Sequence, residues 1–459
     1  MIASSSYAQI NADTTTLSLL KKRTVGTITL IGNKITVDRI LFRELTFHTG
    51  DTINIDDIEK LAKRSEENLI NTSLFNSVKI NWVEDNDKLN IFIIVTERWY
   101  IFPLPIFEIA ERNFNVWWQT KDFSRIIYGG VLTWNNFRGR NEVLAITARL
   151  GYTQRLSFYY SIPFINKQQK AGLTFGFAFS RNHQSSVNTV GNKILYYKDE
   201  TLFSKKEISG SVAYTYRGDL YHTHVIETGY RHAEVLDTVV RLNNDYFSSG
   251  SSTINYSILR YFFKSDHRDI AVYPLHGYYL DFEVVKNGFT FLKDNIDLAY
   301  ITTHGKKFWP LSKRLYFGTG ITAKYTAGTS VPYYLARGLG YGRDFIRGYE
   351  YYVIDGHNYA LLKTNLKFGL IPKKDLHLGF LPMNKFSTIP YAFYLNVYAD
   401  GGYAKDDAFK RNNSLNNSFQ FGYGAGIDFV TYYDLVFRFE YSFNKLGESG
   451  FFLHFTSPI

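Results

Sequence analysis

The chain has no cysteine in 459 residues. That excludes disulfide staples, thiolate metal centres and a cysteine nucleophile, and it suits a chain that crosses an oxidising compartment. Long apolar runs are missing too: no stretch reaches the ~18 residues a membrane-spanning helix needs. No G-x-S-x-G, H-E-x-x-H or P-loop pattern occurs. His222 and His224 alternate on one strand face and Asp266-His267 sits in a loop, but neither has a nucleophile at a recognisable spacing. An enzyme is therefore not expected, nor a cofactor or metal. Basic residues outnumber acidic ones, 52 against 42, for a formal net charge of +10. They form no basic runs and accompany no nucleic-acid motif, so nucleic acid is not an expected partner.

What is abundant is aromatic. Tyr and Phe number 36 and 38, yet the mean hydropathy is only -0.20. In the stretch 418–429, Phe419, Phe421, Tyr423, Ala425, Ile427 and Phe429 fall on one face, while Gln420, three glycines and Asp428 fall on the other. The stretch 434–445 repeats the pattern, opposing Leu435, Phe437, Phe439, Tyr441 and Phe443 to Arg438, Glu440, Ser442 and Asn444. Strands of about ten residues, apolar on one face and polar or glycine on the other, suit a wall between lipid and water. A water-soluble sandwich also alternates but seldom sustains so many aromatics, so the reading is a transmembrane β-barrel. The surplus cations are then expected to line the lumen or to meet anionic headgroups.

Alternation and turn residues mark sixteen candidate strands, from Pro103–Glu111 to Gly450–Thr456, an even number as single-chain barrels require. Between the eleventh, ending at Tyr325, and the twelfth, starting at Gly356, lies a long connection over 326–355. A loop of that length without alternation is usually functional or disordered. The glycines of 422–426 lie on the inward face, where they would admit close approach of an inner loop.

Residues 1–23 read as the tail of a signal peptide and a flexible lead-in, with Ser6-Tyr7-Ala8 as its small-x-small end. Residues 24–97 read as a small domain in the order β-α-α-β-β. It has a strand at 24–33, a helix over Ile35–Leu45, and a second helix from Ile55 to Asn71 capped by Asn54. Two strands joined at Asp85–Asp87 complete a three-stranded sheet. Residues 98–459 would be the barrel.

The small domain resembles a POTRA domain, down to the Gly50-Asp51 turn, the Leu74-Phe75 pair and Glu97 closing the last strand. With sixteen strands and Arg347-Gly348-Tyr349 in the loop between strands eleven and twelve, the chain resembles the BamA/TamA superfamily, which inserts or exports proteins at the outer membrane. The resemblance implies that this loop folds into the barrel. It also implies that Arg347 pairs with the inward Asp400 of strand thirteen, Gly348 turning the backbone and Tyr349 packing on the wall. Relatives commonly carry a second acid on strand twelve. Here Asn365 and Lys367 point inward instead, so the anchor is expected to be held by fewer charges, with a pair worth roughly 1–3 kcal/mol in a partly wet lumen.

Closure must join the first strand to the last. Pro103 and Pro105 remove two donors from the first, and the last carries Gly450, Phe451, Leu453 and Phe455, in a pattern similar to the terminal signal by which barrels are recognised for assembly. The expected function is outer-membrane protein assembly, insertion or polypeptide translocation, acting through the sheet edge of the small domain and a weak barrel seam. The alternative is a non-gating structural or accessory barrel subunit of a larger complex. A two-partner secretion pore is disfavoured. Expected partners are outer-membrane lipids, unfolded client polypeptides, and periplasmic lipoproteins or other complex subunits. The expected location is the bacterial outer membrane, with the small domain in the periplasm.

Overall fold

A computed structural model describes residues 22–109, 126–328, 331–377, 388–407, 413–431 and 434–454. The chain divides into two compact units, the first comprising the residues up to Trp99 together with Arg138–Asn141, the second Tyr100–Phe137 and the residues from Glu142 onward.

In the first unit β1 (Lys22–Ile31), β2 (Thr52–Asn54), β3 (Phe75–Asp85) and β4 (Lys88–Glu97) form a sheet in the order β2-β1-β4-β3. Two helices accompany it, α1 (Asp38–Arg43) and α2 (Ile58–Asn71). Their buried Ile40, Leu41, Ile58, Ala62 and Leu69 join Leu89, Ile91 and Ile93 in the core. The sheet has four strands rather than the expected three. Gly50, at φ +93, turns the chain so that Ile53 pairs with Arg23 and is buried. The first helix is shorter than expected because Ile35 and Thr36 are held outside it. Their amides donate to the Glu97 carboxylate, at 3.0 and 2.7 Å. Asn54 accepts from the Asp56 amide at 3.3 Å, capping a 3-10 turn that leads into α2.

The second unit is built of β5 (Ile101–Ile109), β6 (Ile126–Phe137), β7 (Glu142–Gly151), β8 (Thr153–Ile162), β9 (Ala171–Asn182), a separate hairpin β10 (Gln184–Val190) and β11 (Lys193–Lys198), then β12 (Lys205–Tyr216), β13 (His222–Val235) and β14 (Thr253–Asp266). It continues with β15 (Gly277–Asn287), β16 (Leu298–Pro310), β17 (Leu315–Ala327), β18 (Asn358–His377), β19 (Thr388–Lys405), β20 (Gln420–Val430), β21 (Val436–Asn444) and β22 (Ser449–His454). All except the hairpin form one antiparallel sheet of sixteen strands, each paired with its neighbours in chain order. The hairpin was not foreseen, and neither was the short helix α3 (Asp237–Leu242).

Burial is inverted relative to a water-soluble protein. Phe421, Tyr423, Ile427, Phe439, Tyr441 and Phe443 are exposed, whereas Gln420, Asp428, Arg438, Glu440 and Ser442 are buried. Apolar side chains outside and polar ones inside are the signature of a barrel in lipid. The inner loop spans the interior. Tyr334 donates to Glu207 on β12, while Arg347 reaches Asp400 on β19, so the sheet curls round it.

The rim where β5 begins is here the proximal rim and the other the distal rim. At the distal rim Tyr246, Phe247, Tyr333 and Tyr334 form a buried core with Val187 of the hairpin and Val239 of α3. The hairpin tip at Asn192 also binds Asn413 and Asn416 of the β19–β20 connection. At the proximal rim the turn between β14 and β15 folds inward, burying Tyr273 against Tyr394 and Val436.

Candidate functional site

The connection between β17 and β18 is drawn together by an antiparallel bridge of Leu339 with Ile354. Its tip lies against β18, β19, β20 and β21. Because side chains alternate along a strand, Asn365, Asp400 and Glu440 all point inward from their strands. Arg347 meets all three. Its Nε donates to Asp400 Oδ2 at 2.8 Å and Nη2 to Oδ1 at 2.5 Å, a bidentate fork, and its backbone amide adds a third bond to Oδ2 at 3.1 Å. Nη1 donates to Asn365 Oδ1 at 2.7 Å and Nη2 to the Thr364 carbonyl at 3.1 Å. The guanidinium lies 3.9 Å from the Tyr398 ring centroid.

The expectation of a weakly charged anchor needs correction. The second carboxylate is Glu440 of β21, 3.5 Å from Arg347 Nη1 and 2.9 Å from Arg438 Nη2. The Arg347, Asp400 and Glu440 side chains are 0% exposed, so the pair belongs to the buried limit rather than to a wet lumen. In this cluster Arg347 and Arg438 face Asp400 and Glu440, with His454 Nε2 3.6 Å from Glu440 Oε2. Glu440 was visible on the inward face of its strand, but alternation gives a face and not a height along the wall.

Glycines make the close approach possible. Gly348 sits at φ +93, and its carbonyl accepts from Asn444 Nδ2 at 2.9 Å. A Cβ at Gly422 would overlap the Arg347 carbonyl oxygen. Tyr349 is buried and donates to Gln420 Oε1 at 3.0 Å.

The same loop touches the last strand. Phe345 stacks on His454 with centroids 5.4 Å apart, Tyr351 lies 5.5 Å from Phe452, and Glu350 is 3.4 Å from His454 Nε2. Motif reasoning missed these five residues, although Glu350 directly follows Arg347-Gly348-Tyr349 and Phe452 and His454 sit on either side of Leu453.

At the other edge, Asn135 donates to the Tyr100 carbonyl at 2.8 Å, and Pro103 pairs with Leu132 and Pro105 with Gly130. Bonded and non-bonded pairs alternate in an antiparallel ladder, so Pro103 and Pro105 share the non-bonded parity and their nitrogens face away from β6, toward the seam. On β22 the bond from Asn444 N to Glu448 O sets the parity, turning the Phe451 and Leu453 backbones outward in the same sense. Gly450 pairs with Ser442. Phe455 lies outside the described residues, as does Glu111. Among the described residues no pairing joins β5 to β22.

The proximal turn is a second inner contact that sequence reasoning missed. Tyr273 Oη donates to Asp428 Oδ2 at 2.6 Å, and Lys367 Nζ lies 4.1 Å from its ring centroid. The available signal was Val272-Tyr273-Pro274-Leu275, an apolar run placed in a turn.

In the first unit β3 is an outer strand eleven residues long, with exposed Ser77, Lys79, Asn81 and Val83 along it.

A family model described as "Omp85 superfamily domain" matches residues 136–445, and a POTRA model described as "Surface antigen variable number repeat" matches residues 23–98. No curated protein matches the chain. Among solved structures the chain is similar in fold to CdiB from Escherichia coli, at 13% identity over 94% of this chain and 74% of that one, with a TM-score of 0.53. It also aligns with BamA from Haemophilus ducreyi lacking POTRA domains 1-3, at 15% identity over 94% and 83% with a TM-score of 0.49. For CdiB from Acinetobacter baumannii the values are 13%, 94%, 74% and 0.47.

Proposed function

The chain belongs to the Omp85 superfamily, and on that premise we propose that it is an assembly, insertion or translocation factor for polypeptides in the bacterial outer membrane. Its POTRA domain would stand in the periplasm. The observation that carries this reading is the contact of one inner loop with both the anchoring wall and the last strand. Arg347 fixes the loop to β18, β19 and β21, and Phe345, Glu350 and Tyr351 rest on Phe452 and His454 of β22. A change at the seam is thereby felt by the loop. Pro103 and Pro105 withhold two seam-facing donors from β5, which weakens closure at the place where a client strand would enter. The β3 edge offers backbone bonds to an extended client with little demand on its sequence. Client strand pairing would supply the driving force.

Cysteine pairs placed one on β5 and one on β22, selected for disulfide formation, test this. Insertion of a client barrel into vesicles should stop when the seam is locked and resume on reduction. An undiminished rate in the locked protein would rule out lateral opening.

The second reading is a sealed accessory barrel within a larger complex. It is favoured by the inward turn at Tyr273 and by the interlocked distal loops. Pull-down of intact membrane complexes separates the two, since stable subunits rather than transient clients would be recovered.

A further inference from the structure

Within the barrel, a cavity of about 390 Å³ is bounded by β13, β15, β16 and β17 and by the inner loop. Arg231, Lys324, Arg337 and His357 line it, and its described lining contains no aspartate or glutamate. A second cavity of about 660 Å³ shares Tyr300, Lys324 and Arg337 with the first. Of its two acids, Glu283 is paired with Arg260, accepting from Nε at 2.8 Å, whereas Asp344 accepts from the neutral Tyr359 hydroxyl at 2.8 Å and keeps its charge.

The hydrogen-bond and ring partners of Arg231, Lys324 and Arg337 are neutral groups, and Glu207, which acts on Arg231 through space, is itself held by Lys205 and Tyr334. Lys324 Nζ donates to the Arg337 carbonyl at 3.4 Å and lies 4.8 Å from the Tyr300 ring centroid. The Arg337 guanidinium lies 4.7 Å from the Tyr341 ring, and Arg231 Nη1 is 3.5 Å from Tyr256 Oη. Among the described residues none of the three has a carboxylate within ion-pair distance. Three other lumenal arginines are paired with carboxylates: Arg260 with Glu227 and Glu283, Arg268 with Asp266, Arg347 with Asp400. Like charges gathered in one chamber repel, and a multiply charged anion relieves that repulsion while accepting from guanidinium forks. Leu298, Val331 and Leu335 line the same cavity and give an organic portion somewhere to rest.

We propose that this chamber binds a small phosphate-bearing solute, with its phosphate among Arg231, Lys324 and Arg337 and its organic part against the three apolar residues. The site lies behind the strands, away from their lipid face, which selects a soluble phosphate ester over a lipid headgroup. The inference is independent of the assembly reading above.

The test uses the full chain in detergent, titrated with inorganic pyrophosphate at constant ionic strength and followed by calorimetry and thermal unfolding. Saturable binding and a raised melting temperature are expected. Affinity should fall by about tenfold or more in the double variant Lys324→Gln/Arg337→Gln. If that variant does not fold, as judged by its migration on an unheated gel, Arg231→Gln serves in its place. Absence of saturable binding, or unchanged affinity in the variants, overturns the proposal. So does a result in which micelles doped with phosphatidic acid stabilise the parent but pyrophosphate does not, because the ligand would then be a lipid.

Discussion

Replacing Arg347 by alanine should be among the most damaging single changes in the barrel. The substitution removes the fork to Asp400 and the bonds to Asn365 and the Thr364 carbonyl. It leaves the Asp400 carboxylate buried with the residue 347 amide, while Glu440 keeps Arg438. Removing one partner of a buried pair costs about 3–5 kcal/mol. The surviving amide bond places the expected loss near the lower end, about 3 kcal/mol, or more than a hundredfold in the unfolding equilibrium. Urea unfolding in detergent, followed by tryptophan fluorescence, measures this, and early loss of the compact band on an unheated gel reports it independently. Arg347→Lys keeps the charge but not the fork and should recover less than half of the loss. The double variant Arg347→Ala/Asp400→Ala removes the orphaned carboxylate as well, so its cost should fall below the sum of the two singles by about 2 kcal/mol. A single variant within about 0.5 kcal/mol of the parent, or strict additivity in the cycle, would refute the buried-latch argument.

Three further outcomes are expected. Gly422→Ala puts a methyl group into the Arg347 carbonyl and should destabilise the docked loop by about 1–3 kcal/mol, seen as faster labelling of a cysteine placed at Tyr351. Pro103→Ala with Pro105→Ala restores two seam-facing donors, each worth about 0.5–1.5 kcal/mol if paired. The variant should unfold at a higher urea concentration, and a lower one would place those donors elsewhere. Asp199, in the exposed connection after β11, has its carboxyl held down to about 2 by the Leu202 and Thr201 amides. A depressed carboxyl contributes order above its ordinary value of 3.8, and that order is lost as pH falls toward about 2. Hydrogen exchange at Leu202, corrected for intrinsic rate, should therefore accelerate across that window in the parent and be fast throughout in Asp199→Ala.

The strands were legible because lipid imposes a strict rule on them. Phe421 and Tyr423 must face out and Gln420 and Asp428 in, and that alternation is written directly in the chain. The hairpin β10–β11 broke no such rule and obeyed none. Gln184–Val190 is mostly polar on both faces, and its partner strand carries Leu195 and Tyr196 exposed at the distal rim. The inner cluster was half legible. Asp400 lay on a face that parity could assign, whereas the meeting of Arg347 with Glu440 depends on the stagger of β18 to β21, which no local pattern encodes. Tyr273 escaped notice for the same reason, because a turn residue becomes lumenal only through the curvature of the sheet around it.

The two inner contacts of the barrel hang on one post. The distal loop reaches Asn365 and Asp400, while the proximal turn reaches Lys367 and Tyr394. Asn365 and Lys367 are successive inward positions of β18, so a single shift of that strand pulls on both contacts. An airlock keeps its doors on separate hinges so that one can shut before the other opens. This barrel has joined them, so its two inner contacts should loosen together rather than in turn.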